Sequence, residues 1–312
     1  MKLHTLSAQP THLVWDRSLK PRLRIESSDE VEIQCLDASG GQVRPGMTTE
    51  EFLTIDRSQI HSLSGPIWME GAEPGDVLEV NVLSTRHSGW GWSSVICGLG
   101  LLKERFKEPY LFHWQLDGDS TSSLAPAVVP VRPFLGVMGV ARAEDGAFGT
   151  RPPGPFGGNL DVRELCAGST LYLPVFSRGA LFSCGDGHAA QGDGEVCING
   201  IECALDVTLR FKLHKRQPLA GPIVESSDMA APDSIADSWV VVETGRDLAD
   251  AARAATNRMI DLLVSRWGFS EIHAYILCSV ALKLRLSQLV NEPVHTVSAA
   301  LSKQILPDLS LF

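Results

Sequence analysis

The sequence lacks any pair of cysteines in a CxxC arrangement, and its seven cysteines form an odd number. An odd count without close pairs argues against a disulfide framework and against a zinc knuckle made of thiolates. Most of these cysteines are expected to be buried and reduced, since free cysteine behaves as a small apolar residue. Low-complexity tracts, long repeats and the GxxxxGK[ST] phosphate loop are also missing, which gives no support for a nucleotide-binding P-loop.

Long apolar runs and an excess of positive charge are absent too. No run approaches the roughly 18 apolar residues that suggest a membrane-spanning helix, and the start of the chain has no apolar core typical of a signal peptide. Lys and Arg number 27 against 37 Asp and Glu, which gives a formal charge of −10. Such a chain offers no basic footprint to nucleic acid or to an anionic membrane. We therefore expect a cytoplasmic protein with neither kind of partner.

What the chain does contain is an ordinary globular composition and a pattern of short strands. Its 312 residues are 44% hydrophobic and 21% charged, enough for a sizeable core. Alternating apolar and polar residues predict strands at 31–36 and 77–82. Many short strands punctuated by Gly and Pro favour a β-sandwich or barrel-like architecture. Further strands are predicted at 128–142, 169–176, 179–184 and 203–213.

The pattern changes to helix from about residue 244. Apolar residues then recur at helical spacing until Gly268, a predicted stop. Ser270 is a good N-cap for a second helix, which is expected to extend through about Leu289. The segment 214–237 is the best candidate for a connecting loop.

These patterns together predict a mainly β fold with a C-terminal α-helical section, α+β overall. A β-rich catalytic region is expected at residues 1–213. Residues 214–312 would supply the connecting loop and helices packed on the β region, since amphipathic helices usually form a packed layer or an oligomer interface.

The densest group of ionisable residues lies at 182–202, which reads FSCGDGHAAQGDGEVCINGIE. Ionisable residues this close together cost solvation unless they bind a metal, perform proton chemistry or lie on an exposed loop. In an extended segment, Asp186 and His188 would lie on one face. Asp193 and Glu195 have the same spacing. This segment is where we expect the chemistry.

A second pair with this spacing, Asn159 and Asp161, lies upstream in GGNLD. A neutral imidazole and hard carboxylates form a reasonable ligand set for Zn²⁺ or another divalent ion. Three protein ligands would leave a position open for water, whose proton a nearby carboxylate can take. Spacing alone leaves open the alternative of two tight turns with exposed acids, because Asp-Gly and Gly-Asp pairs are common in turns.

Several long motifs give the chain a close resemblance to the acetamidase/formamidase family. The resemblance covers nearly the whole chain, and it implies a hydrolase that releases ammonia and a carboxylate from short aliphatic amides. It also implies a mostly β fold, dependence on a divalent metal and frequent homo-oligomers. The motifs are THLVWDRS at 11–18, GPIWMEGAEPGDVLEV at 65–80, GWGWSSVICGLGLLKERF at 89–106, VVPVRPFLGVMGVA at 128–141, the run from GGNLD to GDGEV at 157–196, and HAYILCSVA at 273–281.

The resemblance also suggests which residues hold the metal. Asp186 and His188 of GDGHAAQGDGE match the family's metal-binding pair. Asp161 of GGNLD is the expected third ligand, and Glu202 is expected to bind a metal or support the ligands. Zn²⁺ is the expected ion, and the number of ions and the presence of Ca²⁺ alongside it stay open.

Catalytic roles follow the same motifs. Glu195, which closes GDGHAAQGDGE, is the expected general base. Asn159 is expected to polarise the amide carbonyl or to orient a ligand, and His188 is counted with the catalytic residues. One departure, the Ile198 to Ile201 segment in place of the more usual Thr-Ala, concerns local loop geometry and not the ligands.

The substrate pocket is expected to include residues of two further motifs. His12, Trp15 and Asp16 match the family's N-terminal motif, although His12 is equally well explained as a structural histidine. Trp90 and Trp92, together with Phe106, are expected to wall the pocket. The alternative for these aromatic residues is ordinary core packing, since large aromatic side chains are mostly buried.

Two other functions remain open at this point. Cys166 or Cys184 would be the nucleophile in a cysteine amidase, although nothing ties a particular Lys to either. The second alternative is a β-sandwich that binds a metal or small ligand without turnover. The expected partners are a small amide substrate and a second copy of the chain in a homodimer.

Overall fold

Two large β-sheets and two helices longer than two turns form most of the protein. A computed structural model describes residues 1–226, 235–307 and 311. The helices are α1 (Thr49–Phe52), α2 (Leu248–Trp267) and α3 (Glu271–Ala281), with short 3₁₀ helices at Arg57–Gln59 and Lys303–Ile305. The strands are β1 (Leu3–Leu6), β2 (Val14–Trp15), β3 (Leu23–Ile25), β4 (Glu30–Cys35), β5 (Leu63–Met69), β6 (Val77–His87), β7 (Trp90–Val95), β8 (Tyr110–Gln115), β9 (Ser120–Thr121), β10 (Val129–Pro130), β11 (Phe134–Gly139), β12 (Phe148–Gly149), β13 (Gly157–Asn159), β14 (Thr170–Pro174), β15 (Phe182–Ala190), β16 (Ile201–Glu202), β17 (Leu205–His214), β18 (Ile223–Glu225), β19 (Ser238–Gly245), β20 (Lys283–Gln288) and β21 (His295–Ser302).

The first sheet has nine strands in the order β1-β4-β17-β6-β14-β18-β19-β21-β20. The second sheet has eight strands, with the path β13-β11-β15-β16-β7-β8, while β5 pairs with β15 and β3 pairs with β5. Strand makes up 39% of the structure and helix 14%. The prediction of a mainly β fold with a C-terminal helical section is therefore confirmed.

One hydrophobic core lies between the two sheets. In β4 the residues Val31, Ile33 and Cys35 are buried while their neighbours alternate outward, as the sequence predicts. Across the core, the rings of Phe182 in β15 and Phe211 in β17 lie 5.2 Å apart in an edge-to-face arrangement. Full burial of a side chain of this size contributes about 1.5–3 kcal/mol. This core holds β15, the strand of the densest ionisable group, at a fixed position.

Helix α2 begins at Leu248, a few residues after the predicted change of pattern at about 244, and α3 begins where the sequence predicts but is shorter. The Asp247 side chain caps α2, which ends at Gly268 with a left-handed φ of 70°. Ser270 caps α3 as predicted, yet α3 ends at Ala281 and the prediction of a helix through Leu289 is wrong. The segment KLRLSQ that follows forms β20, because pairing with β21 outweighs local helix propensity. Its alternating leucines fit a strand.

The nine-stranded sheet extends across residue 213, the boundary predicted from the sequence. Strands β18, β19, β20 and β21 all follow this residue, and β18 pairs with β14. Part of the predicted connecting loop at 214–237 is therefore a strand, while residues 227–234 of it lie outside the described residues. Helix α2 packs against β19 and β21. In the part of the chain that the structure describes, no helix is long and apolar enough to cross a membrane.

Candidate active site

A cavity of about 340 Å³ opens beside β15. Its lining combines apolar side chains, including Phe52 and Ile60, with a group of ionisable side chains that are almost completely buried. This ionisable group, called the acidic cluster below, consists of Asp161, Asp186, His188, Glu195 and Glu202.

Strand pairing brings the members of the acidic cluster together. Asp186 and His188 lie two residues apart on β15, so their side chains project from the same face of the strand. Glu202 on β16 is the register partner of His188. Asp161 follows β13, which pairs with β11, the neighbour of β15. Glu195 lies in the connection between β15 and β16.

The distances within the cluster are short. The Nε2 atom of His188 lies 3.1 Å from Oε1 of Glu202 and 3.5 Å from Oδ1 of Asp186. Ligand atoms of Asp161, Asp186 and His188 lie within 4.8 Å of one another, and so do those of His188, Glu195 and Glu202. His188 thus belongs to two groups that could each hold a metal ion.

Five side chains at the cavity come from residues with a left-handed backbone. The φ angles are 57° at His61, 50° at Asp161, 57° at Asp186, 47° at Glu195 and 78° at Ile198. Only a few per cent of non-glycine residues adopt positive φ. Each costs on the order of 1 kcal/mol or more, and such residues concentrate at functional sites. The fold therefore accepts local strain to aim these side chains into the cavity.

Burial shifts the pKa values of the acidic cluster. It raises the pKa of Asp161 and of Glu202 to about 7, and that of Glu195 well above its usual range. Burial also opposes ionisation of Asp186, but the neighbouring His188 and His61 hold its pKa at about 2. Burial acts to lower the pKa of His188, yet the Glu202 and Asp186 carboxylates raise it well above its usual value. The buried carboxylates of the acidic cluster therefore ionise readily only when a positive charge lies beside them.

Oxygen atoms without partners test whether the cluster suits a divalent cation. Asp161 Oδ1, Asp186 Oδ1, Glu195 Oε2 and Glu202 Oε2 are buried and accept no hydrogen bond, although Asp186 Oδ1 is within ion-pair distance of His188. A buried polar atom without a partner costs about 1–3 kcal/mol, more when it is charged. Carboxylate oxygens and one imidazole are suitable ligands for Zn²⁺, and the oxygens also suit Ca²⁺. The donor set fits a divalent ion.

Three residues at the site were missed by sequence reasoning. His61 Nε2 lies 3.8 Å from Asp186 Oδ2. Asn291 donates from Nδ2 to Asp161 Oδ2 at 2.5 Å, and Gln191 contacts the Nδ1 atom of His188 at 3.0 Å. Gln191 is inside the GDGHAAQGDGE motif, which could have indicated a role. His61 and Asn291 are distant in sequence, and no local pattern marks them.

Two of the residues predicted for substrate contact line this cavity. Trp92 forms part of the wall, and Asn159 faces it with a buried side-chain oxygen that has no hydrogen-bond partner. Trp90 is not among the lining residues, because its ring packs against His113 with centroids 5.6 Å apart. Phe106, the third aromatic residue considered, is exposed.

His12, Trp15 and Asp16 of the N-terminal motif are not among the residues that line the cavity, contrary to the prediction, although Leu13 of the same motif is. His12 lies 2.9 Å from the carbonyl of Val14 and 2.8 Å from the Ser183 hydroxyl. The carbonyl can only accept, so the ring donates to it and accepts from the hydroxyl. Trp15 is buried against Phe156, and the partly buried Asp16 carboxylate accepts a hydrogen bond from the Ser18 backbone.

The two candidate cysteine nucleophiles also lie outside the cavity lining. Burial raises the pKa of Cys166. The Cys184 sulfur lies 3.7 Å from that of Cys35 between the two sheets, and this contact together with burial raises the Cys184 pKa well above its usual value. A thiol with a raised pKa is protonated at neutral pH and is a poor nucleophile.

Comparison with known proteins agrees with the sequence motifs. Residues 2–146 and 140–307 match the Acetamidase/Formamidase family. The chain is 29% identical to an acetamidase from Mycolicibacterium smegmatis, with 86% of this chain and 85% of the relative covered. It is 29% identical to a formamidase from Methylophilus methylotrophus, with 65% and 64% covered. The crystal structure of an acetamidase from Bacillus halodurans superposes with a TM-score of 0.88 at 31% identity, over 96% of this chain and 98% of that one. The chain therefore belongs to the acetamidase/formamidase family.

Proposed function

We propose that this amidohydrolase cleaves the C–N bond of short linear amides, such as formamide or acetamide, at a divalent metal centre in the acidic cluster. The observation that carries the proposal is the set of four buried carboxylate oxygens that accept no hydrogen bond and surround one imidazole. Asp161, Asp186, His188 and Glu202 would hold the ion. The relatives named acetamidase and formamidase support the choice of substrate class.

The metal and the protein would contribute different parts of the chemistry. A divalent ion supplies Lewis acidity, which lowers the pKa of water and polarises a carbonyl oxygen. Glu195 would accept the proton of the attacking water and pass it to the departing nitrogen, because amide nitrogen leaves poorly until it is protonated. Burial raises the pKa of Glu195, which suits a group that must hold a proton between these two steps.

Asn159 is proposed to orient the substrate. Its buried Oδ1 has no hydrogen-bond partner, and a primary amide substrate brings N–H donors that could satisfy this oxygen. The cavity of about 340 Å³ lies near the lower end of the usual range for ligand pockets, roughly 300–1,000 Å³. A small cavity with apolar walls favours short aliphatic amides over long ones.

Chelation tests the proposed metal dependence. Purified protein would be stripped with a chelator and assayed for ammonia release from formamide, acetamide and longer amides. We expect activity to disappear and to return with Zn²⁺ or Ca²⁺. Full activity in a sample shown by elemental analysis to be metal-free would refute the metal centre. Alanine at both Cys166 and Cys184 should leave turnover intact, and loss of turnover in a folded variant would instead favour a cysteine nucleophile.

We also propose that the chain forms a homodimer through the outer face of α3. Ile272, Tyr275, Ile276 and Val280 lie within one arc of this helix and are each more than half exposed. Contiguous exposed apolar side chains of this kind often mark protein–protein contacts. Light scattering should show a dimer that Val280→Asp shifts toward monomer, and a monomeric wild-type protein would refute the proposal. The cytoplasmic location stays a prediction.

A further inference from the structure

The buried side chain of Gln191 connects three segments behind the acidic cluster. Its Oε1 atom lies 3.0 Å from Nδ1 of His188 on β15. Its Nε2 atom donates to the backbone carbonyl of Asp161 at 2.9 Å and to that of Ser287 on β20 at 3.1 Å. One amide group therefore contacts the strand that carries His188, the segment that carries Asp161 and the C-terminal part of the nine-stranded sheet.

These contacts determine which way the amide faces. Both backbone carbonyls can only accept hydrogen bonds, so the NH₂ group of Gln191 must point toward them. The reversed orientation would place the amide oxygen against two carbonyl oxygens. The oxygen of Gln191 consequently faces His188 and can only accept. The Nδ1 atom of His188 must therefore carry a hydrogen.

We propose that Gln191 is a positioning residue that keeps a hydrogen on Nδ1 of His188, so that Nε2 is the nitrogen that gives up its proton when the ring binds a metal. This inference rests on the proposed metal centre. The Nε2 atom faces Glu202 at 3.1 Å and Asp186 at 3.5 Å, on the cavity side of the ring. An acceptor on the remaining ring nitrogen orients a histidine ligand and raises its basicity.

Gln191 also holds Asp161 by its backbone. The Asp161 residue has a φ of 50°, a conformation that the surrounding structure must support. The hydrogen bond from Gln191 to its carbonyl is one such support, and the hydrogen bond from Asn291 to its carboxylate is another. Gln191 thereby sets the separation between two of the proposed ligands, His188 and Asp161.

Two substitutions separate the tautomer from the backbone contacts. Gln191→Met removes the acceptor for His188 and both donors. Gln191→Glu keeps an acceptor facing Nδ1, but an ionised carboxylate cannot donate to the carbonyls of Asp161 and Ser287. Two measurements apply to both variants: zinc affinity by chelator competition, and the downfield NMR resonance of the His188 Nδ1–H proton, assigned by its loss in His188→Gln.

Gln42 offers a matched control. Its side chain donates to the carbonyls of Ser39 at 2.8 Å and Asp56 at 3.0 Å, and it accepts from the Asp56 N–H at 2.8 Å. It is thus a half-buried glutamine with the same number of hydrogen bonds, but it contacts no member of the acidic cluster. Gln42→Met should lower thermal stability while zinc affinity and the His188 resonance stay unchanged.

The expected result for Gln191→Met is loss of the His188 resonance and a fall in zinc affinity of about 10- to 100-fold, the usual effect of removing such a partner. Gln191→Glu should keep the resonance and lose less affinity. Zinc affinity within twofold of wild type in Gln191→Met, or an unchanged resonance, would overturn the inference. An affinity in Gln191→Glu as low as that of Gln191→Met would overturn the tautomer role.

These outcomes differ from failure of the proposed metal centre. If wild-type protein binds no zinc, the metal centre fails whatever the variants do. The resonance still tests the Gln191–His188 contact in that case, because the Nδ1–H hydrogen bond exists without a metal. If wild-type protein binds zinc and Gln191→Met binds it equally well, only the positioning role of Gln191 is refuted.

Discussion

Gly136 provides the sharpest test of the site geometry. This residue lies in the middle of β11. The residues on either side of it, Leu135 and Val137, pair with Gly187 and Gly185 of β15. A Cβ atom at position 136 would lie 2.8 Å from Asp161 Oδ1, 2.9 Å from Asp186 Oδ2 and 3.1 Å from His188 Cε1. One added methyl group would therefore press on three members of the acidic cluster at once.

The size of the effect can be worked out from these contacts. An ordinary contact begins at 3.4 Å, so Asp161 Oδ1 would have to retreat by about 0.6 Å and Asp186 Oδ2 by about 0.5 Å. Overpacking a buried site in this way costs about 1–3 kcal/mol of stability. Catalysis is more sensitive, because a misplacement of about 1 Å can cost 10²-fold in rate. We expect Gly136→Ala to lose about 10- to 100-fold in zinc affinity and in kcat/KM.

Gly149 is the matched control for this variant. It also lines the cavity, yet a Cβ at this position would meet nothing within 4 Å, and its φ is not positive. Zinc titration, ammonia release and thermal unfolding would be measured for Gly136→Ala, Gly149→Ala and wild type. Gly149→Ala should match wild type within about twofold, since it displaces no ligand atom.

Wild-type zinc affinity and turnover in a folded Gly136→Ala protein would refute the geometric reasoning. Such a result would mean that the three side chains can move apart without consequence. A large loss of zinc affinity or turnover in Gly149→Ala would also refute it. Such a loss would mean that any methyl group added in the cavity is harmful, whichever atoms it meets. The proposed arrangement is supported only if Gly136→Ala loses zinc affinity and turnover while Gly149→Ala keeps both.

Further predictions concern proton transfer and acid stability. Glu195→Gln should keep zinc affinity while turnover falls about 10²- to 10⁴-fold, as measured by titration and ammonia release; full activity would contradict the role of Glu195. The Asp29 carboxylate accepts hydrogen bonds from the Lys2 and Glu26 backbone and from His4. Burial opposes ionisation of this carboxylate, but the hydrogen bonds lower its pKa from 3.8 to about 2. Because the folded pKa is depressed, this stabilisation is present above about pH 4 and is lost as the pH falls through 2. Asp29→Asn should therefore lose about 1–2 kcal/mol of unfolding free energy at pH 7, with the difference vanishing near pH 2; equal urea midpoints at pH 7 would contradict this.

Local sequence was sufficient for several of the longer strands, among them β4, β6 and β17, and for the start of α3. The alternation in β4 and the cap at Ser270 are patterns within a few residues. The end of α3 was not predictable in this way, because apolar residues continue beyond Ala281. Only pairing of β20 with β21 decides that the next segment is extended.

The candidate site shows the same division. Asp186 and His188 share a face because a strand has a period of two residues, and the sequence alone predicts this. Strand pairing decides which other buried side chains lie next to them. Glu202 lies beside His188 because β16 pairs with β15. Asp161 lies nearby because β13 pairs with β11, which pairs with β15. His61, Gln191 and Asn291 were found only in the structure.

The sequence by itself thus determined the family, the mainly β fold and the segment that carries the densest ionisable residues. Tertiary structure decided which carboxylate oxygens are buried without a hydrogen-bond partner, that His12 and Trp15 lie outside the cavity lining, and that Gln191 faces His188. The physical reason is that periodicity, caps and turns act within a few residues, whereas burial and hydrogen-bond pairing depend on segments that the chain brings together from far apart.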